Sequence, residues 1–331
     1  MTVTALADNY APDLRSAATV QLFADNQFGY RPQFTDNWNM RAAYDSRSLA
    51  PYVGVRANAG DCIEWHAVLP EDASYKAFRQ VIMGDGKPYA DTPGNHDLTT
   101  YNAAASFPYQ RTTADGIVEK WARTADEWAR DVPGRGTANQ VVTNGQIAVV
   151  TLSPDIWAYR HTTATPGYAP PDPLTAAHLA WLDTQLTQLG STPTWIVTHA
   201  PPQNQFATGT TLPAAEFVQP WDQIGVVIDA HPNVIGWMSG HWHIGANHAD
   251  TIRKIQCGGR QILGINSPSS QGIRGAWTAG QQQYGDGTLG PECSKSMFVA
   301  YDGTDVTVRW RNHNNATWYQ PFGGKYRRLA A

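Results

Sequence analysis

The chain has 331 residues, 42% hydrophobic and 16% charged, enough apolar content to bury one large core or two smaller ones. A formal net charge of −4 offers no basic face to a polyanion, and the only basic cluster is Lys325, Arg327 and Arg328, so no obligate nucleic-acid partner is expected. Cys62, Cys257 and Cys293 form an odd set without metal-ligand spacing, which argues against a disulfide framework and leaves one pairing, Cys257 with Cys293, open.

Residues 1 to 20 carry neither a basic n-region nor a sustained apolar stretch, and no apolar run approaches the roughly 18 residues of a membrane span. The expectation is a soluble, cytoplasmic protein with no membrane partner, or a secreted one if a leader has been removed. Thr19 to Ala24 (T-V-Q-L-F-A) reads as a strand that delivers Asp25, Asn26 and Gln27 at its end. Asp25 and Gln27, two residues apart, can share one face; an Asx turn is the simpler alternative. Phe28 to Ala50 is polar and aromatic with little periodicity, so a loop with at most one short helix is expected. Val53 to Ala59 then leads to Gly60, Asp61, Cys62, Ile63 and Glu64, where Gly60 permits a sharp turn at a second strand end.

Ser74 to Met83 is a plausible helix, and the Gly84-Asp85 pair that follows lies too close to the next motif for an intervening helix and is read as a loop. Pro88 to Thr92 predicts a short strand ending in Pro93, Gly94, Asn95, His96 and Asp97. A Pro-Gly turn brings backbone close to a ligand, the Asn95 amide oxygen suits a hard or borderline cation, and His96 with Asp97 offers acid/base chemistry. Leu98 to Gln140 interrupts the strand pattern with an aromatic, mixed-charge segment and a predicted helix over Gly116 to Arg130; it is read as an insertion over the site.

Gln146 to Leu152 is a buried strand, followed by a Pro-rich loop from Ser153 to Pro173. Leu179, Leu182, Leu186 and Leu189 recur with helical spacing. Trp195 to Val197 is the next strand, ending at Thr198 and His199 and stopped by Pro201 and Pro202. A helix over Trp221 to Ala230 precedes a buried strand, Val234 to Met238, which runs into Ser239, Gly240, His241, Trp242 and His243. If these residues stay extended, His241 and His243 present their imidazoles to one site while Trp242 faces away, although an isolated H-x-H also occurs by chance on exposed strands. Gln261 to Ile265 is a strand, Asn266 to Pro291 a Gly/Ser/Gln-rich loop, and Met297 to Tyr301 with Val306 to Trp310 a hairpin around Asp302 and Gly303.

Taken in order, D-x-Q (Asp25, Gln27), G-D-x-x-E (Gly60, Asp61, Glu64), G-N-H-D (Gly94 to Asp97), His199 and G-H-x-H (Gly240 to His243) resemble the motifs of the calcineurin-like metallophosphoesterase superfamily, from about Thr19 to Trp310. The resemblance implies an α/β fold, a four-layer α/β/β/α sandwich. It also implies one domain over residues 1–331, with the core at about 19–310 and the insertion at 98–140. Asp25, Gln27, Asp61 and His243 would hold one metal, and Asp61, Asn95, His199 and His241 the other, with Asp61 bridging. The cofactors implied are two divalent or mixed-valence ions drawn from Mn, Fe and Zn.

The implied reaction is hydrolysis of phosphate mono- or diesters of a small phosphorylated substrate, with metal-bound hydroxide as nucleophile and His96 as general acid, oriented by Glu64. Two departures stand out: Glu64 replaces the usual Asp, and Gln27 replaces the His that most members carry, with a weaker donor to Zn or Fe. The alternative is a catalytically silent binding or scaffold protein on the same fold, which should have eroded His96 or Asp61. A metallo-β-lactamase-like use of H-x-H is disfavoured because Ile244 and Gly245 follow His243. His66, His161, His178, His231, His248 and His313 fit no motif and are read as surface or loop residues, and Trp242 as packing. Arg111, His161, Asn204, Gln205 and Arg274 are candidates for phosphate contacts.

Overall fold

A computed structural model describes residues 14, 18–26, 28, 35–62, 70–92, 94, 99–101, 109–111, 139–153, 159–162, 165–168, 174–202, 205, 220–243, 251–267, 295–319 and 325–327. The chain runs through β1 (Thr19–Phe23), α1 (Thr35–Ser48), β2 (Val55–Asn58), α2 (Pro70–Met83) and β3 (Tyr89–Asp91). A hairpin of β4 (Thr99–Tyr101) and β5 (Tyr109–Arg111) follows, then β6 (Gln140–Thr143), β7 (Ala148–Thr151) and a second hairpin of β8 (Tyr159–Thr162) and β9 (Thr165–Tyr168). Next come α3 (Ala176–Leu189), β10 (Thr194–Val197), α4 (Trp221–Ala230), β11 (Val234–Ser239), β12 (Ile252–Cys257) and β13 (Arg260–Asn266). The last described strands are β14 (Lys295–Tyr301), β15 (Asp305–Asn312), β16 (Thr317–Tyr319) and β17 (Lys325–Arg327).

The strands form two main sheets. The first has the order β16-β15-β14-β1-β2-β3, with β17 also on β15; β1, β2 and β3 are parallel and β14 is antiparallel to β1. The second has the order β12-β13-β11-β10-β7-β6, parallel in the middle with antiparallel edges.

Side chains alternate between the two faces of a strand, and here both faces are apolar. Val20 and Leu22 of β1 join Val149, Trp195, Val197, Met297 and Val299 in the core between the sheets. Phe23 turns the other way, to Phe78 of α2, with the ring centroids 5.6 Å apart and perpendicular. Ile196 of β10 likewise belongs with Leu182 and Leu186 of α3 and Ile228 of α4. Helices α1 and α2 therefore cover the first sheet and α3 and α4 the second, which gives the expected four layers.

Helix α1 occupies 14 residues where the sequence predicts a loop with at most one short helix. Its buried residues include Asn39, Ala42, Ala43 and Ser46, too small and polar to register as an apolar stripe. Polar partners satisfy this face instead. Gln21 Nε2 donates to Ser46 Oγ at 2.6 Å and to Ser296 Oγ at 3.0 Å, and Arg56 Nε donates to Gln21 Oε1 at 2.9 Å. The other Arg56 nitrogens reach the Ser46 and Ile82 carbonyls, near the C-termini of α1 and α2, and Asp85 Oδ1 at 2.7 Å. One buried guanidinium thus serves carbonyls of two helices, and the second Gly-Asp supplies its counter-ion.

Further along the same face, Arg311 grips Asp45 with Nε at 2.7 Å and Nη2 at 2.8 Å, and His313 lies between Asp45 Oδ2 and Ser296 Oγ, 2.8 Å from each. His313 and His178 are consequently buried structural residues rather than surface ones; His178 closes a capping box with Thr175 at the start of α3. Four other features differ from the sequence reading. Gln140, assigned to the insertion, begins β6; β12 was not anticipated; and the β4–β5 and β8–β9 hairpins arise in segments read as irregular. The helix predicted over 116–130 lies outside the described residues. Cys257 is a buried free thiol, which removes the Cys257–Cys293 pairing, and Cys62 is buried as well. Among the described residues no helix is long and apolar enough to cross a membrane.

Candidate metal centre

Parallel pairing of β1 with β2 sets Phe23 beside Asn58, so the turns leaving the two strands lie side by side. The Asp25 N–H donates to the Gly60 carbonyl at 2.9 Å, and the Phe28 N–H to the Cys62 carbonyl at 3.0 Å. In the second sheet β10 leads to His199 and β11 to Gly240, whose N–H donates to the His199 carbonyl at 2.9 Å. The two sheets meet where the His241 N–H reaches Oδ1 and Oδ2 of Asp25, each at 3.1 Å. No β-carbon fits at Gly240, where it would lie 2.8 Å from both Ala24 Cβ and Asp25 Oδ2, and one at Gly94 would overlap the Asp61 carboxylate. The G-N-H-D segment therefore begins in contact with Asp61.

Asp25, Asp61, His241 and His243 all have left-handed backbone, with φ of 51°, 51°, 74° and 50°; Ala316 is the other such non-glycine among the described residues. That conformation costs a residue with a β-carbon about 1 kcal/mol or more, and it persists only where the surroundings over-determine it. Four strained residues at one point make it the candidate functional site. They also correct the sequence geometry: His241 and His243 are not in extended chain, and their imidazoles go to different groups. Ligand atoms of Asp61, His199 and His241 lie within 4.8 Å of one another, as do those of Asp25, Asp61 and His243. Asp61 is common to both.

Side-chain environment supports cation binding at these groups. His199 Nδ1 lies 2.7 Å from the Ala59 carbonyl, which can only accept, so Nδ1 carries the proton and Nε2 faces the site. Nε2 stands 3.3 Å from Asp61 Oδ1 and 3.1 Å from His241 Nδ1. In the second group His243 Nε2 is 3.3 Å from Asp25 Oδ1. Burial opposes a charge on His199, but Asp61, through its charge and hydrogen bond, together with Asp25 and the Ala59 carbonyl, holds the imidazolium up to about 9. Two buried carboxylates, Asp25 and Asp61, create a surplus of negative charge that draws a proton here and that a cation would neutralise. The donor set of carboxylate and imidazole suits a borderline divalent metal.

Of the nine site residues read from the sequence, the structure brings together Asp25, Asp61, His199, His241 and His243. Gln27, Glu64, Asn95 and His96 lie outside the described residues. Trp242 is buried, as expected of packing. Gln205 Oε1 accepts from the Gln256 N–H of β12 at 2.8 Å. Arg111 falls on β5 and His161 on β8, while Asn204 and Arg274 lie outside the described residues.

Lys295, buried at the start of β14 opposite Asn312 of β15, has its ammonium pushed down to about 7 by burial. In the sequence it is a lone Lys opening an apolar strand.

A crystal structure of a dimetal phosphatase from Danio rerio superposes with a TM-score of 0.60 at 12% identity, covering 95% of this chain and 99% of that one. A 5′-nucleotidase structure from Staphylococcus aureus (TM-score 0.42, 10% identity, 95% of this chain, 52% of that one) is looser. So is that of vacuolar protein sorting 29 from Cryptosporidium parvum (TM-score 0.33, 11% identity, 94% and 96%). No family model matches the sequence, and no curated protein does. The first likeness, with the two layered sheets, shows the calcineurin-like metallophosphoesterase fold.

Proposed function

We propose that this chain, which has the metallophosphoesterase fold, is a metal-dependent hydrolase of phosphate mono- or diesters acting on a small phosphorylated substrate. The observation that carries the reading is the pair of donor groups sharing Asp61. Asp25, Gln27, Asp61 and His243 would hold one divalent ion and Asp61, Asn95, His199 and His241 a second. When bound, two such ions polarise the phosphoryl group and acidify water for in-line attack.

The chain's own residues supply the rest. The left-handed turns fix the ligands before any metal arrives, and the Ala59 carbonyl sets the His199 tautomer. His96 would protonate the departing oxygen with Glu64 orienting its ring, and the insertion that follows the G-N-H-D motif would select among substrates. A scaffold role is disfavoured, since a silent protein has no reason to retain His96 or to keep strained turns that converge five donors. The test is a panel of phosphate monoesters and diesters assayed with Mn²⁺, Fe²⁺ and Zn²⁺, with metal content measured alongside. Turnover of one ester class by metal-loaded protein is expected; none from protein holding two metals would sink the proposal.

A further inference from the structure

Three buried asparagines to which no motif gives a role join the turns carrying Asp25 and Asp61. Asn39 of α1 donates from Nδ2 to the Asn26 carbonyl at 2.7 Å, and its Oδ1 accepts from Asn26 Nδ2 at 2.8 Å. Asn26 Oδ1 accepts from Asn58 Nδ2 at 2.6 Å, and Asn58 Oδ1 accepts the Gly60 N–H at 3.2 Å. None of the three is more than 2% exposed.

The chain of amides has one direction. It starts on a main-chain carbonyl, which only accepts, and ends on a main-chain N–H, which only donates. Flipping any amide between them sets acceptor against acceptor or donor against donor. Links of this kind polarise and strengthen one another away from water. The ends of the chain adjoin the carboxylates, because Asn26 follows Asp25 and Gly60 precedes Asp61.

We propose that Asn26, Asn39 and Asn58 are positioning residues of the metal centre, an amide strut that sets the separation of the Asp25 and Asp61 carboxylates so that two cations bind as a coupled pair. This rests on the dinuclear reading above. Both aspartates sit in left-handed turns that are costly in isolation and that backbone bonds between the turns hold only in part. The strut ties both turns to α1, so neither carboxylate can relax independently of the other.

Asn39 is the residue to change because its hydrogen bonds reach neither aspartate. Mn²⁺ titration of the full chain by calorimetry gives affinity, and electron paramagnetic resonance of the loaded protein separates coupled from isolated Mn²⁺. Asn39→Ala should weaken Mn²⁺ binding about tenfold or more and replace the coupled signal by isolated ones, at a temperature where circular dichroism shows it folded. Asn39→Asp keeps the acceptor for Asn26 Nδ2 but loses the donor to the Asn26 carbonyl, so it should fall between Asn39→Ala and wild type; it is measured in place of Asn39→Ala if the latter does not fold. Ser46→Ala, on the same helix, cuts the Gln21 bond instead and should lower stability while leaving both readouts unchanged. Unchanged affinity and coupling in the folded Asn39 variant overturns the strut, as does a Ser46→Ala loss of equal size. A wild-type protein without coupled Mn²⁺ overturns the dinuclear reading itself.

Discussion

The main-chain N–H of His241 reaches both carboxylate oxygens of Asp25, 3.1 Å from each, across a sequence separation of 216 residues. The carboxylate is therefore pinned by the opposite sheet, with His243 Nε2 3.3 Å from Oδ1. In Asp25→Asn one oxygen is replaced by an amide NH2, which cannot accept, and the charge is gone. We expect this variant to fall from about two bound metals to about one. In the wild type, the Asp25 group should also empty first during a chelator titration, because Gln27 is a weaker donor than imidazole. Metal analysis along the titration checks both; earlier emptying of the His199 group would contradict the second.

Strain at the ligands predicts a trade between stability and metal. Glycine accepts the φ of 74° found at His241 without a β-carbon clash, so His241→Gly should raise the stability of chelated protein by about 0.5–1 kcal/mol. The same variant should lose affinity for the cation of the Asp61–His199 group. Urea denaturation of the chelated protein, wild type beside variant, decides; a destabilised variant would mean that His241 is held without strain.

His96 adjoins the proposed ligand Asn95 in sequence and has no ligand role of its own in the proposed mechanism. His96→Asn should keep both metals and lose kcat by on the order of 10²–10⁴ with alkyl esters, and less with p-nitrophenyl esters, whose leaving group departs unprotonated. Equal losses for both ester types at full metal occupancy would assign His96 to phosphoryl charge instead.

Acid stability should depend on Asp45. Burial alone would raise its carboxyl, but the hydrogen bonds and charges of Arg311 and His313 outweigh that and bring it down to about 2. The native state thus binds this proton less readily than the unfolded chain does. The resulting stability, on the order of 2 kcal/mol, is complete above the unfolded carboxyl value near 3.8 and is lost as pH falls towards about 2. Asp45→Asn should abolish that part of the acid transition. At pH 7 it should destabilise by roughly 3 kcal/mol, since the fully buried Arg311 side chain loses its counter-ion. Denaturant midpoints between pH 2.5 and 7 measure it, and parallel curves for the two proteins would refute it.

The second sheet was legible because its central strands are short apolar runs closed by Pro or Gly, and the leucine spacing of α3 falls directly on its buried face. Helix α1 was not legible. Its inner residues pair with Gln21, Asn26, Arg56 and Arg311 from distant segments, and a pattern completed by tertiary contacts leaves no period in the local sequence. The identities of the site residues could be read as strand-end motifs, whereas their backbone could not. Extended geometry was the natural expectation for His241 and His243, and only the close approach of Gly240 to Ala24 and Asp25 shows why the chain turns there. Asn26 fills the unspecified position of D-x-Q and Asn58 precedes the G-D motif, and nothing local ties them to Asn39.

Strand β1 lies between β2 and β14, and its antiparallel register runs from Thr19 beside Ala300 to Leu22 beside Met297. During synthesis, one edge of this strand stays open until β14, far along the chain, has left the ribosome. An unsatisfied row of backbone donors and acceptors flanked by Val20 and Leu22 is a template for pairing with another nascent chain. Truncations that remove β14 and β15 should therefore accumulate in aggregates rather than as partly active fragments, and yield in cells should be limited by the wait for β14 more than by equilibrium stability.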